Sequence, residues 1–135
     1  MNPSNTVFDV LRLVDRKFSD PSVQADAKLW PFKIVGKLGR PAIQLGYKGE
    51  TKLLWPVEIL AMLLRYLKEI AQANLGELVS SAVISTPCYF NCAQRQLVRD
   101  AAEIAGLNCL RLGVAPVFAA VTYGLNKTGG ERNVL

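Results

Sequence analysis

The chain has 135 residues, half of them apolar and a fifth charged, with a net charge of +5. That is one ordinary globular domain, long enough to bury roughly two-thirds of the surface its unfolded form exposes. With no Lys/Arg-rich run, no histidine and three cysteines, the composition argues against a nucleic-acid partner, a zinc centre and any Ser-His or Cys-His dyad.

Asn5 predicts an N-cap for a first helix with Val7, Val10, Leu11 and Val14 on one side, ending around Phe18. Ser19-Asp20-Pro21 restarts a short helix to about Lys28, with Pro21 in the first turn, where its missing N–H does no harm. Arg12, Arg16 and Lys17 read as a solvated basic face in preference to an anion site. No charged n-region with an apolar core opens the chain, so no signal peptide is visible, and the odd cysteine count fits a reducing compartment.

Trp30-Pro31-Phe32-Lys33-Ile34-Val35 predicts a strand whose start Pro31 confines to an edge. Gly36-Lys37-Leu38-Gly39-Arg40-Pro41 is turn chemistry. Residues 42–47 and 51–54 follow as strands around Lys48-Gly49-Glu50, which makes an antiparallel meander. Trp30 and Phe32 read as core anchors.

Pro56 opens a long helix. Val57, Leu60, Leu63, Leu64, Leu67, Ile70 and Ala71 recur at three- and four-residue spacing and predict one wide buried face. Gly76 suits the left-handed position that closes it. Trp55 falls at the N-cap, where a missing side-chain acceptor costs about 1 kcal/mol. Glu58, Arg65, Lys68 and Glu69 lie within the helix and argue against a membrane span.

The segment 83–112 organises the rest. An apolar run from 79 to 85 stops before Pro87, a helical pattern runs from about 91 to 105, and Gly106 ends it. Cys109-Leu110-Arg111-Leu112 then begins a second apolar run. Strand, crossover helix and strand predict a parallel βαβ unit that needs cover on both faces. After Gly113-Val114-Ala115-Pro116 comes a short apolar helix, 117–123, closed by Gly124. A polar loop at 127–132 and the start of a strand at Asn133-Val134-Leu135 follow. Cys88, Cys92 and Cys109 read as small buried side chains. Asp100 and Glu103 read as surface charges paired with Arg99 or Arg95. The fold class is therefore α/β: a mixed sheet with an antiparallel meander, a long covering helix and a βαβα unit.

Phosphoryl transfer needs phosphates cradled by backbone N–H groups and a metal held by carboxylates. No GxxxxGK[ST] or GxGxxG occurs, and the only adjacent glycines are Gly129-Gly130. Nevertheless Thr86-Pro87-Cys88-Tyr89-Phe90-Asn91, Gln94-Arg95-Gln96, Asp100-Ala101 and Ile104-Ala105-Gly106-Leu107-Asn108 resemble the signature of the 70-kDa heat-shock chaperones. Asn2-Pro3, Asn5-Thr6-Val7-Phe8-Asp9, Arg12-Leu13, Asp26 with Trp30-Pro31-Phe32, and Tyr47-Lys48-Gly49-Glu50-Thr51 match further segments of that family.

The resemblance implies a partial actin-like ATPase (ribonuclease H-like) fold, with residues 1–78 a peripheral subdomain and 79–135 part of the central one. The family binds and hydrolyses ATP with Mg2+ between two lobes to control client-protein binding. Its two glycine-rich phosphate loops, its second lobe and its client-binding domain are expected to fall outside residues 1–135, which also contain no catalytic lysine. The family's Asn-Glu-Pro-Thr pattern falls on Val114-Ala115-Pro116-Val117, so Ala115 replaces a Glu of the magnesium shell, and Cys92 replaces an acid. Val57 replaces a Glu in the first turn of the long helix. No catalytic, cofactor or metal residue is therefore expected within the chain.

Other family positions are kept. Pro87 and Arg95 match an interdomain switch, and Tyr89 matches a coupling tyrosine. Arg99, in place of a Lys, and Arg111 match the face that meets the interdomain linker and J-domain cochaperones. Two functions follow: a truncated relative or fragment of an ATP-dependent chaperone that cannot bind or hydrolyse ATP alone, or a non-catalytic module for J-domain cochaperones or the linker. A degenerate product without activity is the third. Lys28-Leu29-Trp30-Pro31-Phe32 resembles cytosolic members, so the expected compartment is the cytoplasm or nucleus. Exposed sheet edges and an apolar face predict a marginal, self-associating chain.

Overall fold

The computed structural model describes residues 2–124. The loop expected at 127–132, Gly129-Gly130 and the strand at 133–135 lie outside the described residues.

The first predicted helix does not form. Two short 3-10 turns, Pro3–Asn5 and Val10–Leu13, take its place. Asn5 caps nothing; its Oδ1 accepts a hydrogen bond from the Gly46 N–H at 2.9 Å, so the neighbouring sheet takes the side chain that helix capping needed. Asp9 and Asp15 sit in the left-handed region at φ 54° and 55°, which breaks the helical path on both sides of Val10–Leu13. The apolar residues are used regardless, for Val10, Leu13 and Val14 are all buried. Helix α1, Pro21–Asp26, forms as expected behind an Asp20 N-cap whose Oδ1 accepts from the Ser22 N–H at 3.0 Å. Hydrogen bonds from the Ser22 side chain and backbone, aided by Arg16, hold the Asp20 carboxyl below its ordinary pKa of 3.8. Arg12 pairs with Asp26 at 3.3 Å and Arg16 with Asp20 at 3.4 Å, so two members of the basic cluster face carboxylates.

Strands β1 (Lys33–Lys37), β2 (Arg40–Tyr47) and β3 (Glu50–Leu54) form the antiparallel meander. Pro31 offers no N–H to a ladder, and β1 begins two residues after it. The turns are tighter than expected. Leu38-Gly39 and Lys48-Gly49 each carry two positive φ angles, the two-residue hairpin that matches strand twist. Phe32 is fully buried, stacked on Trp30 at 5.2 Å and edge-on to Phe8 at 5.6 Å.

Helix α2, Pro56–Leu75, runs from Pro at its first position to Gly76 at φ 74°. Trp55 supplies no side-chain cap. Glu58, three positions on, accepts from the Trp55 N–H at 2.7 Å, which is half of a capping box. Glu58→Ala is expected to lower stability by about 1 kcal/mol, read as a shift in the urea midpoint. The buried face is narrower than the sequence predicts. Leu60, Ala61 and Leu64 are buried, but Leu63, Leu67 and Ile70 are exposed, as are Met62 and Tyr66. The C-terminal half of that stripe is only partly covered among the described residues, with Ala71 half-buried.

Strands β4 (Ser81–Thr86) and β5 (Asn108–Val114) pair in parallel across helix α3 (Cys92–Ile104), and α4 (Ala115–Thr122) completes the βαβα unit. The two sheets are separate rather than one mixed sheet, since no strand of the meander pairs with β4 or β5 among the described residues. Buried Val98, Ala101 and Ala102 of α3 and Ala105 at its C-cap share one core cluster with Leu60, Ala61 and Leu64 of α2, the alanines allowing close approach. Lys68 of α2 donates to the Gly106 carbonyl at 2.8 Å and ties α2 to the end of α3. Ala82, Ile84, Cys109 and Leu112 face this core. The other face carries Val83, Arg111 and Gly113, and a Cβ at Gly113 would collide with the Phe118 ring of α4.

Candidate functional site

The site is built where β4 hands over to α3. Thr86, buried at the end of β4, donates its hydroxyl to the Gly113 carbonyl of β5 at 3.3 Å. Pro87 then turns the chain, and the Phe90 N–H closes the turn on the Pro87 carbonyl at 3.2 Å. Phe90 is buried and anchors the turn. Asn91 caps α3 through a reciprocal box. Its Oδ1 accepts from the Gln94 N–H at 2.8 Å, while its own N–H donates to Gln94 Oε1 at 3.1 Å.

Pro87, Tyr89 and Arg95 meet at this turn. Arg95 lies on the first turn of α3, and its Nε reaches back to the Phe90 carbonyl at 3.2 Å. Tyr89 is 62% exposed, with its ring against Phe90 at 5.6 Å. Phe90 links the three: its N–H donates to the Pro87 carbonyl, its carbonyl accepts from Arg95, and its ring meets that of Tyr89. The tyrosine is available to a neighbour.

Arg99 and Arg111 are not brought together. Arg99 projects from α3, exposed, beside a shallow groove of about 460 Å³ that Glu103, Leu107, Asn108 and Cys109 help to line. Arg111 is exposed in register with Val83, on the opposite face of the β4–β5 layer from α3.

Ala115 is the first residue of α4 and is exposed, and Val114 before it gives no side-chain cap. A methyl group there neither ligates a metal nor accepts a hydrogen bond from water. Among the described residues no group of three or more His, Cys, Asp or Glu side chains is placed to hold a metal.

Two expectations are corrected. Cys88 and Cys92 are exposed and Cys109 is half-buried, because the turn and the outward start of α3 leave no core position for the first two. Asp100 accepts from Gln96 Nε2 at 2.9 Å, one helical turn back, and pairs with neither Arg95 nor Arg99.

Sequence reasoning missed Gln94. Its Nε2 donates to the Val14 carbonyl at 2.9 Å across the core, joining the N-terminal segment to the site. The Asn91-x-x-Gln94 spacing carried half of that signal, as a capping box, but not the long-range bond.

The sequence model of the family described as Hsp70 protein matches residues 1–135. The whole chain aligns at 57% identity with a heat shock 70 kDa protein of Neurospora crassa, covering 21% of that protein. It aligns at 56% with a heat shock 70 kDa protein of Ajellomyces capsulatus, covering 19% of it. It is 53% identical to a ribosome-associated molecular chaperone of Eremothecium gossypii, covering 22% of it. The chain thus spans about a fifth of the length of the curated relatives it matches.

Proposed function

The chain belongs to the Hsp70 protein family, and we propose that residues 1–135 supply the relay part of an ATP-dependent chaperone's nucleotide-binding lobe while neither binding nor hydrolysing ATP by themselves. The meander, the long helix and the βαβα unit are a partial actin-like ATPase fold. On this reading residues 1–78 belong to a peripheral subdomain and 79–135 to the central one. The observation that supports the reading is the Arg95–Phe90–Pro87 linkage, two hydrogen bonds that join the β4–α3 turn to the first turn of α3.

The negative half rests on chemistry. A triphosphate needs backbone N–H groups converging on its oxygens and a hydrated Mg2+ held by carboxylates. Residues 1–135 contain no glycine-rich phosphate motif, and the position matching the family's magnesium-shell Glu is Ala115. The Mg2+ and ATP of the family would be held elsewhere in a longer chain, and client proteins would be bound there too. Calorimetric titration of the 135-residue chain with Mg·ATP is expected to give no saturable heat. Saturable, magnesium-dependent binding would overturn this half.

A second reading is supported by the exposure of Arg99 and Arg111. In it the β5 edge docks a J-domain cochaperone or the interdomain linker, with the arginines supplying charge at the rim. Arg111→Ala is expected to weaken J-domain binding about threefold to tenfold, mostly in the association rate and more at low salt. Absence of binding by parent and variant alike would remove this reading and leave the first intact. The cytoplasm, with the nucleus, is the compartment this proposal favours, on the Lys28–Phe32 pattern. No described helix is long and apolar enough to cross a membrane.

A further inference from the structure

We propose that the β4–α3 turn is a thiol-modification site, where Cys88 and Cys92 take up anionic low-molecular-weight disulfides of the glutathione class, guided by Arg95. Both thiols are exposed, four residues apart, on the turn that also carries the Arg95 guanidinium. Cys92 is the first residue of the 13-residue α3. Arg95 is three positions on, on the same helical face. Its Nε bonds the carbonyl of Phe90, the residue midway between the two cysteines. That bond occupies one of the guanidinium's N–H groups and leaves the others to an incoming anion. Among the described residues no carboxylate pairs with Arg95. Cys109 differs: it is half-buried in β5, with its Sγ 3.5 Å from the Arg111 carbonyl oxygen.

The reaction is thiol–disulfide exchange. The cysteine thiol gives its proton to water, and the thiolate attacks one sulfur of the small disulfide. A new S–S bond forms as the old one breaks. The displaced thiolate takes a proton from water and leaves as a thiol. The cysteine sulfur is oxidised, one sulfur of the reagent is reduced, and no further oxidant is required. A reagent bearing carboxylates gains from Arg95 and from the positive end of α3, whereas a cationic reagent is repelled by both.

The test reacts the 135-residue chain separately with oxidised glutathione, neutral hydroxyethyl disulfide and cationic cystamine. Each site is timed by mass spectrometry of quenched peptides, and each rate is divided by that of the same chain in concentrated urea. Cys88 and Cys92 are expected to react before Cys109. At low salt, glutathione disulfide should be preferred over cystamine by on the order of threefold to tenfold, a rim-charge effect. Arg95→Gln should reduce that preference, while Arg65→Gln, which removes the same charge from the exposed face of α2, should keep it. If Arg95→Gln fails to fold, the parent in molar salt replaces it, and the preference must collapse there. The proposal fails if Cys109 reacts as fast as the other two, if the anionic and cationic reagents react alike at low salt, or if Arg65→Gln abolishes the preference as fully as Arg95→Gln.

Discussion

Phe32→Ala is expected to lower the stability of the folded chain by about 3–5 kcal/mol, the cost of removing a fully buried aromatic side chain. Against a total of roughly 5–15 kcal/mol for a domain, that is enough to leave much of the population unfolded at physiological temperature. The size follows from what Phe32 touches. Its ring stacks on Trp30 and takes the edge of Phe8, so truncation opens a void between the N-terminal segment and the approach to β1. Phe8 and Trp30 lie in segments without regular secondary structure, whose backbones relax more readily than a helix. Partial collapse of the void favours the lower end of the range. Urea unfolding followed by circular dichroism measures the effect. A loss under about 1 kcal/mol would mean that the ring does not hold the N-terminal segment to the meander.

Gln94→Leu is expected to cost about 2–3 kcal/mol, although leucine is apolar and similar in size. Gln94 is a buried polar residue with every bond satisfied. Leucine removes the acceptor for the Asn91 N–H and so halves the box that starts α3. It also removes the donor that reaches the Val14 carbonyl, the only one among the described residues, and leaving that acceptor buried and unpaired is the larger loss. The change should show in two places at once: a lower urea midpoint with unchanged slope, and faster hydrogen exchange of the Asn91 amide. A midpoint within about 0.5 kcal/mol of the parent, converted through that slope, would show that water replaces the lost donor.

These two residues differ in how visible they are in the sequence. Phe32 follows Trp30-Pro31 in an apolar run, and an aromatic there reads as core without a structure. Gln94 reads as one more polar residue on a helix, since a bond between positions 94 and 14 has no period to betray it. The same division runs through the fold. The meander, α1, α2 and the βαβα unit follow from alternation, helical spacing and glycine stops, which are local signals. The first helix fails against its local signals because its best capping residue, Asn5, is taken by Gly46 of β2, and a competing long-range partner leaves no mark nearby.

At the candidate site, Pro87, Tyr89 and Arg95 were legible through the motif they belong to, and the structure draws them to one turn. The exposure of Cys88 and Cys92 was not legible, because small thiols are usually buried and the outward course of the turn depends on how Phe90 anchors it. Nor was the separation of Arg99 from Arg111, which depends on which face of the sheet α3 covers.

By itself the sequence determined the family, the order of most elements and the lack of a phosphate-gripping motif within these residues. All three are written in residue identities at fixed spacing. Only the tertiary structure decided that α2 leaves Leu63, Leu67 and Ile70 of its apolar stripe exposed, that Gln94 ties the chain's start to the turn, and that Arg95 closes on Phe90. Burial and hydrogen bonding between distant segments are properties of packing, and packing is settled by every neighbour at once.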